Sequence, residues 1–413
     1  MRWLILFCSA RVAFATMFTA YSAVLPLLKH QWAMTAWQAG LIQSAYHLGF
    51  LISLFCLGFL SDRHGARRIY LLSSFAAVIS TLLFAFFADG FWSGLLLYGL
   101  TGLCSGGSYT PGLALIAEQQ QGQRQGRAMG FYLAAASLGY AIGLIIASVM
   151  IPLAGWRGSF VVTALGPVLG LLLGYAALRG VPNVIHRTPG GHSIFGRFGE
   201  IIGNRAAMLS IWGYTFHAWE LLGLWAWLPT FLGAAELASG SGWLQAASFA
   251  ATLTAITYLV AAGGSVIGGT LADRYGRTLV TLLMGLSSLI CSFAFGWMIG
   301  LPTWLLLLVA TIYNFTGVAD SSIHSTTLAE LVEPSCLGTA YALRSALGFG
   351  AGAVAPWVFG LVLDAGRSSG TLSETLVWAL AWATLGLGGL LGPWAIWRLR
   401  QMPEARRLAG GKR

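Results

Sequence analysis

Seven ionisable side chains interrupt the long apolar runs of this chain: Arg11, His47, His217, Glu220, Asp320, His324 and Arg344. A charge placed in hydrocarbon costs about 2.5 to 3.5 kcal/mol on insertion scales, so each needs a partner, a watery cavity or a function. Two of them are guanidinium groups, which keep their charge and form paired hydrogen bonds to carboxylates. Arg11 reads as the receiver of an anionic solute group; the alternatives are an internal pair with Glu220 or Asp320 and snorkelling to the membrane edge. Arg344 reads as a second contact of that kind, a partner of Asp320 or a cap on helix ends. The other five can take up or release a proton. His217 and Glu220 lie three apart and Asp320 and His324 four apart, so each pair shares a helix face and can exchange a hydrogen bond. Carboxylate and imidazole side by side suit proton uptake and release near neutral pH. Tyr313 and Gly317 continue the face of Asp320 and His324. His47 follows Tyr46 directly and Gln43 by one turn.

The elements that position these groups follow from composition. Of 413 residues, 57% are hydrophobic and 9% charged, and mean hydropathy is +0.75. Such a chain cannot hide its apolar surface in a water-soluble core, so the bilayer is part of its solvent. About 20 apolar residues cross a membrane. Runs of that length fall at 4–28, 37–60, 69–88, 92–117, 128–151 and 158–178, then at 206–232, 246–270, 279–299, 303–329, 339–362 and 374–397. Between the two sets lies a polar linker, 179–204, carrying Pro182, Pro189, Gly190 and Gly191. The predicted organisation is an all-α membrane protein of 12 transmembrane helices, with halves 1–178 and 205–413. Arg2 followed by Trp3 to Cys8 resembles the start of a secretory signal, but apolar character resumes after Arg11 and runs to Pro26, which reads as a first span.

With both termini inside, cytoplasmic segments hold 18 of the 23 Lys and Arg residues and outer loops only Lys29, Arg157 and Arg367. That bias fixes the expected orientation and accounts for the net charge of +10 without nucleic acid. The five cysteines, Cys8, Cys56, Cys104, Cys291 and Cys336, have no metal or redox spacing. Trp32, Trp37, Trp92, Trp156, Trp243 and Trp304 fall at predicted outer ends and read as interfacial anchors. Trp219, Trp225 and Trp227 surround Glu220 on the seventh span.

One phrase occurs twice, Gly58-Phe-Leu-Ser-Asp62-Arg63-His-Gly65 and Gly269-Thr-Leu-Ala-Asp273-Arg274-Tyr-Gly276, at an offset of 273 − 62, or 211 residues. Repetition at half the chain length marks a duplicated architecture. Under that offset Arg11 falls on position 222, a turn from Glu220, and Tyr46 on Thr257, beside Tyr258. The phrase and its extension through Arg67 and Arg68 resemble the cytoplasmic signature of the major facilitator superfamily, between helices 2 and 3 and again between 8 and 9. The resemblance implies two pseudo-symmetric six-helix bundles enclosing a midplane cavity that opens alternately to either side. It implies a cytoplasmic gate at Gly58, Asp62, Arg63, Gly65, Arg67, Gly269, Asp273, Arg274 and Gly276, with Asp62 and Asp273 facing positive helix ends. Helices 1, 4, 7 and 10 would line the cavity and 2, 5, 8 and 11 flank the bundle interface, so none of the seven charges falls on a lipid-facing helix.

Departures from the family's patterns narrow the function. Proton-driven drug exporters carry an Arg before the Gly102 and Gly106 pair, where this chain has Tyr98, and a Gly-Pro pair in helix 5, where it has Gly139-Tyr-Ala-Ile-Gly143. The expected function is a secondary active transporter that moves a small organic solute, a carboxylate-bearing anion, with protons. Export of drugs or toxic metabolites is the alternative. Candidate substrate contacts are Arg11, Tyr46, His47, His217, Glu220, Tyr258, Tyr313, Asp320, His324 and Arg344. Candidate proton carriers are Glu220, His217, Asp320 and His324. No nucleotide-binding loop occurs, and no cofactor, metal, enzymatic activity or nucleic-acid partner is expected. The expected setting is the cytoplasmic membrane, crossed many times by a functional monomer.

Overall fold

The computed structural model describes residues 2–120, 123–185, 194–333 and 336–412. The middle of the predicted linker, with Arg187, Pro189, Gly190 and Gly191, lies outside the described residues, as do the side chains of Arg124, Arg127 and Arg197. Every regular element among the described residues is helical: α1 (Arg2–Ala15), α2 (Ala20–Gln31), α3 (Ala36–His64), α4 (Ala66–Phe87), α5 (Phe91–Ser105), α6 (Thr110–Gln119), α7 (Gln123–Ala177), α8 (Ile194–Gly203), α9 (Arg205–Ala238), α10 (Trp243–Ala261), α11 (Gly264–Tyr275), α12 (Arg277–Phe295), α13 (Thr303–Leu331), α14 (Leu337–Ser368), α15 (Glu374–Gly389) and α16 (Leu391–Gln401).

Among the described residues, ten segments are long and apolar enough to cross a membrane. One of them, 128–177, is two crossings: Gly155, at φ 63° and ψ −166°, breaks α7 where a side chain would be strained. The predicted span 92–117 is α5 and α6 joined by a 3₁₀ turn at Gly106–Ser108, and neither piece alone is long enough. Counting both arms of α7 and this broken crossing restores the twelve. The first span is interrupted in the same way, by a 3₁₀ turn at Thr16–Thr19 between α1 and α2.

The described helices form two compact units, 1–189 with 229–259 and 190–228 with 260–413. In the first, Phe7, Tyr70 and Tyr132 form a stacked aromatic core with Leu115, Ile116 and Leu178. Residues 229–259 are tied into this unit by Ser248 Oγ, which donates to the Ser148 carbonyl at 2.6 Å, and by stacking of His30 on Trp243 at 4.2 Å. In the second, α9 is the hub. Three of its four indoles donate to three different helices: Trp219 to the Thr384 carbonyl, Trp225 to Asn314 Oδ1 and Trp227 to the Pro356 carbonyl. Trp92, Trp243 and Trp304 are exposed, as anchors should be. Trp156 is not: it lies buried against Trp32 and Phe160, because Arg157 next to it caps the end of α4 through the Ala85 and Ala88 carbonyls and draws that segment inward.

The repeated phrase forms the same turn twice. Gly65 joins α3 to α4 at φ 88° and Gly276 joins α11 to α12 at φ 106°, a region open to glycine at little cost. Replacing Gly276 with Ala is expected to destabilise the fold by about 1 to 3 kcal/mol, read as a fall in the melting temperature of purified protein. Around each turn the charges differ. Asp273 pairs with Arg277 at 2.5 Å, Arg277 also binds Glu330 at 2.9 Å, and the Arg274 guanidinium lies over Tyr275. In the first copy Arg67 donates to the Val181 carbonyl, and Asn183 holds the turn through the His64 carbonyl and the Arg68 amide. No ion pair of Asp62 or Arg63 is found among the described residues.

Candidate functional site

Arg11 is the centre of the first unit's site. It sits on α1 just before the Thr16–Thr19 break and is 5% exposed. Facing it is the other broken crossing, where the Gly106–Ser108 turn presents polar groups that a continuous helix would consume. Arg11 Nη1 donates to the Ser108 carbonyl at 3.1 Å and to Ser108 Oγ at 2.5 Å. Tyr132 Oη donates to the same carbonyl at 2.6 Å. The rings of Tyr109 and Tyr132 lie 5.8 and 5.5 Å from the guanidinium carbon, within cation–π range. Arg11 Nε is buried with no hydrogen-bond partner, and no carboxylate pairs with the group among the described residues. This is a permanent positive charge surrounded by neutral groups.

Beside it is a cavity of ≈ 20 Å³, enough for a water molecule, walled by Phe18, Tyr46, Phe50 and Tyr140. Phe18 stacks on Tyr140 at 4.5 Å and meets Tyr46 edge-on at 5.7 Å; Tyr258 meets Tyr140 edge-on at 6.3 Å. Of the expected contacts, Tyr46 lines the cavity and Tyr258 stands at its margin. His47 is buried behind Phe18, with Nε2 against Gln43 Nε2 at 3.1 Å. The expected internal pairing of Arg11 with a carboxylate is replaced by Ser108 and the two tyrosines.

The second unit holds a matching cation. Arg344 Nη1 donates to Ser325 Oγ at 2.7 Å, and its guanidinium lies 4.4 Å from the Tyr214 ring and 4.9 Å from that of Tyr341. Tyr341 Oη donates to the Ser325 carbonyl. Its expected partner Asp320 does not pair with it. Both cations thus occupy a corner made by the first, fourth and fifth crossings of their own half, with a serine and two tyrosines. The cation and one tyrosine have exchanged helices: Arg344 and Tyr132 differ by 212, one from the repeat offset, and Tyr214 stands on the helix that corresponds to that of Arg11.

The predicted acid and base groups of the second unit come together in a different pairing. His217 Nδ1 lies 3.1 Å from Asp320 Oδ1 and His217 Nε2 2.8 Å from Ser321 Oγ. His324 Nε2 is 3.9 Å from Asp320 Oδ2, and the two imidazoles are 5.4 Å apart. Ligand atoms of His217, Asp320 and His324 all fall within 4.8 Å of one another, with His217 Nδ1 and Asp320 Oδ1 in contact. Glu220 does not bond to His217. One turn along α9 it faces α12, where Ser288 Oγ donates to its Oε2 at 2.8 Å, and its Oε1 is buried with no hydrogen-bond partner. Three residues of helix rotate the side chain by about 60° around the axis, which separates the histidine face from the glutamate face. A cavity of ≈ 10 Å³ touches His217, Glu220, Asp320 and His324 together. Tyr313 is buried beside Trp382.

The residues that sequence reasoning missed are the partners: Ser108, Tyr109 and Tyr132, then Tyr214, Ser325 and Tyr341, then Ser288. The run Gly106-Gly107-Ser108 followed by Pro111 was the available signal, since it breaks a crossing opposite a buried arginine.

A family model described as Major Facilitator Superfamily matches residues 6–356. The chain belongs to the Major Facilitator Superfamily. As a superfamily member it is a multi-pass membrane transporter of small molecules. A probable 4-methylmuconolactone transporter of Cupriavidus pinatubonensis is 26% identical over 80% of this chain and 77% of its own. A probable sulfoacetate transporter of Cupriavidus necator is 27% identical over 89% and 87%, and the gentisate transporter of Corynebacterium glutamicum is 25% identical over 62% and 57%. Among solved structures, a D-xylose–proton symporter superposes with a TM-score of 0.77 at 17% identity, covering 98% of each chain. A bacterial spinster homologue in an inward-facing state gives 0.74 at 16% over 97% and 98%. These structural likenesses carry the fold.

Proposed function

We propose that this superfamily member carries a small carboxylate-bearing anion across the cytoplasmic membrane by alternating access, coupled to protons. One observation carries the reading: Arg11 is a buried, permanent cation whose only partners among the described residues are neutral. A buried charge without a counter-ion is costly, and an arriving carboxylate supplies the missing charge in the bidentate geometry a guanidinium favours. The walls of Phe18, Tyr46, Phe50 and Tyr140 favour an anion with a flat apolar body. The three relatives named for methylmuconolactone, sulfoacetate and gentisate handle acids or their lactones, and two of those solutes are rings.

Asp320, held between His217 and His324, is the proton carrier on this reading, with Glu220 and Ser288 as a neighbouring acceptor in the same small polar cavity. Halves 1–178 and 205–413 rock about the linker, both termini are cytoplasmic, the duplicated gate phrases close the inner side, and a monomer suffices. The test is thermal stability of the purified protein against a panel of ring carboxylates, aliphatic carboxylates, neutral sugars and hydrophobic cations, since a ligand that binds only the native state raises apparent stability. A shift confined to carboxylates is expected. A shift produced by hydrophobic cations and by no carboxylate refutes the anion reading and favours drug export.

Glu220 supplies a smaller prediction. Ser288→Ala leaves its Oε2 without a donor in a buried site, so the variant is expected to lose about 1 to 3 kcal/mol of stability, measured by melting temperature.

A further inference from the structure

A groove of ≈ 550 Å³ opens on the second unit between the start of α9 and the end of α16, where no solute pathway is assigned. Two stripes line it. On α9, Arg205, Met208, Leu209 and Trp212 follow one another at helical spacing, and on α16 Trp394, Arg398 and Gln401 do the same. The two helices run in opposite directions here, so both arginines stand at the same end, the one that carries the basic excess of the sequence. With a rise of about 1.5 Å per residue, Trp212 lies about 10 Å deeper than Arg205 and Trp394 about 6 Å deeper than Arg398.

Both arginines and both tryptophans are exposed, Trp212 at 40% and Trp394 at 54%. No hydrogen bond or ion pair of Arg205 or Arg398 occurs among the described residues, and no carboxylate lines the groove. The cations stand at the rim, Met208 and Leu209 lie about 5 Å deeper on α9 and the indoles deeper still, so a charged headgroup meets the arginines and its glycerol ester the apolar and indole surface beneath them. Ile202, at the end of α8, closes one wall and is 60% exposed.

We infer that this groove is a binding site for an anionic glycerophospholipid of the adjoining leaflet, whose phosphodiester is held by Arg205 and Arg398 and whose ester region rests on Trp212 and Trp394. A zwitterionic lipid offers the same tails, but its ammonium cancels the attraction that two unpaired guanidinium groups exert. The site is separate from the Arg11 cavity and does not depend on which solute is carried.

The test uses the full-length protein in a neutral detergent, with melting temperature measured after adding dioleoyl phosphatidylglycerol, cardiolipin or phosphatidylcholine at equal molar ratio. Phosphatidylglycerol and cardiolipin are expected to raise it by about 3 °C or more over phosphatidylcholine. The Arg205→Gln/Arg398→Gln double variant, with an unchanged melting temperature in detergent alone, is expected to lose that difference. Should the double variant not fold, the wild type at 1 M NaCl supplies the second measurement, since a charge-held lipid must lose its advantage when screening shortens to about 3 Å. An equal shift from phosphatidylcholine, or an anionic-lipid shift that survives both the double substitution and high salt, overturns the inference. So does an equal shift from glycerol 1-phosphate or inorganic phosphate, which would make the groove a site for a soluble anion.

Discussion

Replacing Arg11 with Gln is expected to lower carboxylate transport by about 30-fold to a few thousandfold, because a buried charge pair broken on one side costs about 2 to 5 kcal/mol and each 1.4 kcal/mol is a factor of ten. The loss should appear in the concentration needed for half-maximal uptake and in the disappearance of the carboxylate-induced thermal shift. It should not appear in folding. Gln retains a hydrogen-bond donor for the Ser108 carbonyl, and the ring–ring contacts of Phe7 with Tyr70 and Tyr132 that hold this end of the unit persist when the cation–π contact to Tyr132 is lost. Arg11→Lys tests the geometry separately from the charge. An ammonium keeps the charge but loses the planar fork and much of its hold over the rings of Tyr109 and Tyr132, so it should recover only part of the activity. Carboxylate transport at the wild-type level in a well-folded Arg11→Gln protein would leave the anion reading without its main support.

Much of the fold was legible because bilayer crossing is a strong constraint on sequence. Length, hydropathy, basic-residue bias and the phrase around Asp62 and Asp273 gave the class, the turns at Gly65 and Gly276 and the placement of the charges on interior helices. What was not legible is rotation about each helix axis. Spacing of three put His217 and Glu220 on one face, yet a difference of about 60° is enough for one to face α13 and the other α12. Partner choice then followed from what the neighbouring helix offered: Asp320 to the imidazole and Ser288 to the carboxylate. Arg11 was identified as unusual, while its surroundings were not, since they depend on the 3₁₀ breaks at Thr16–Thr19 and Gly106–Ser108, which leave hydropathy unchanged. Trp156 failed for the opposite reason. Its sequence position is that of an anchor, and only the capping of α4 by Arg157 turns it into the core.

Asp320→Asn is expected to abolish concentrative uptake while sparing exchange. Coupling one proton to a monoanion makes transport electroneutral, so the pH gradient alone drives it, and each unit of gradient supports about tenfold accumulation. In vesicles acidified outside, the wild type should therefore accumulate the carboxylate about tenfold per pH unit and lose that accumulation when the gradient is collapsed. In the variant the amide keeps the shape of the side chain between His217 and His324 but takes up no proton. Accumulation should fall to about one, with counterflow of labelled against unlabelled solute continuing, because exchange needs binding and rocking but no net proton movement. Glu220→Gln separates the two carboxylates. If the proton travels on Asp320, the glutamine variant retains gradient-driven uptake with at most a modest loss from its altered bond to Ser288. The reverse pattern, accumulation lost in Glu220→Gln and kept in Asp320→Asn, moves the proton to the α9–α12 contact and leaves the His217–Asp320–His324 cluster a structural tie between α9 and α13.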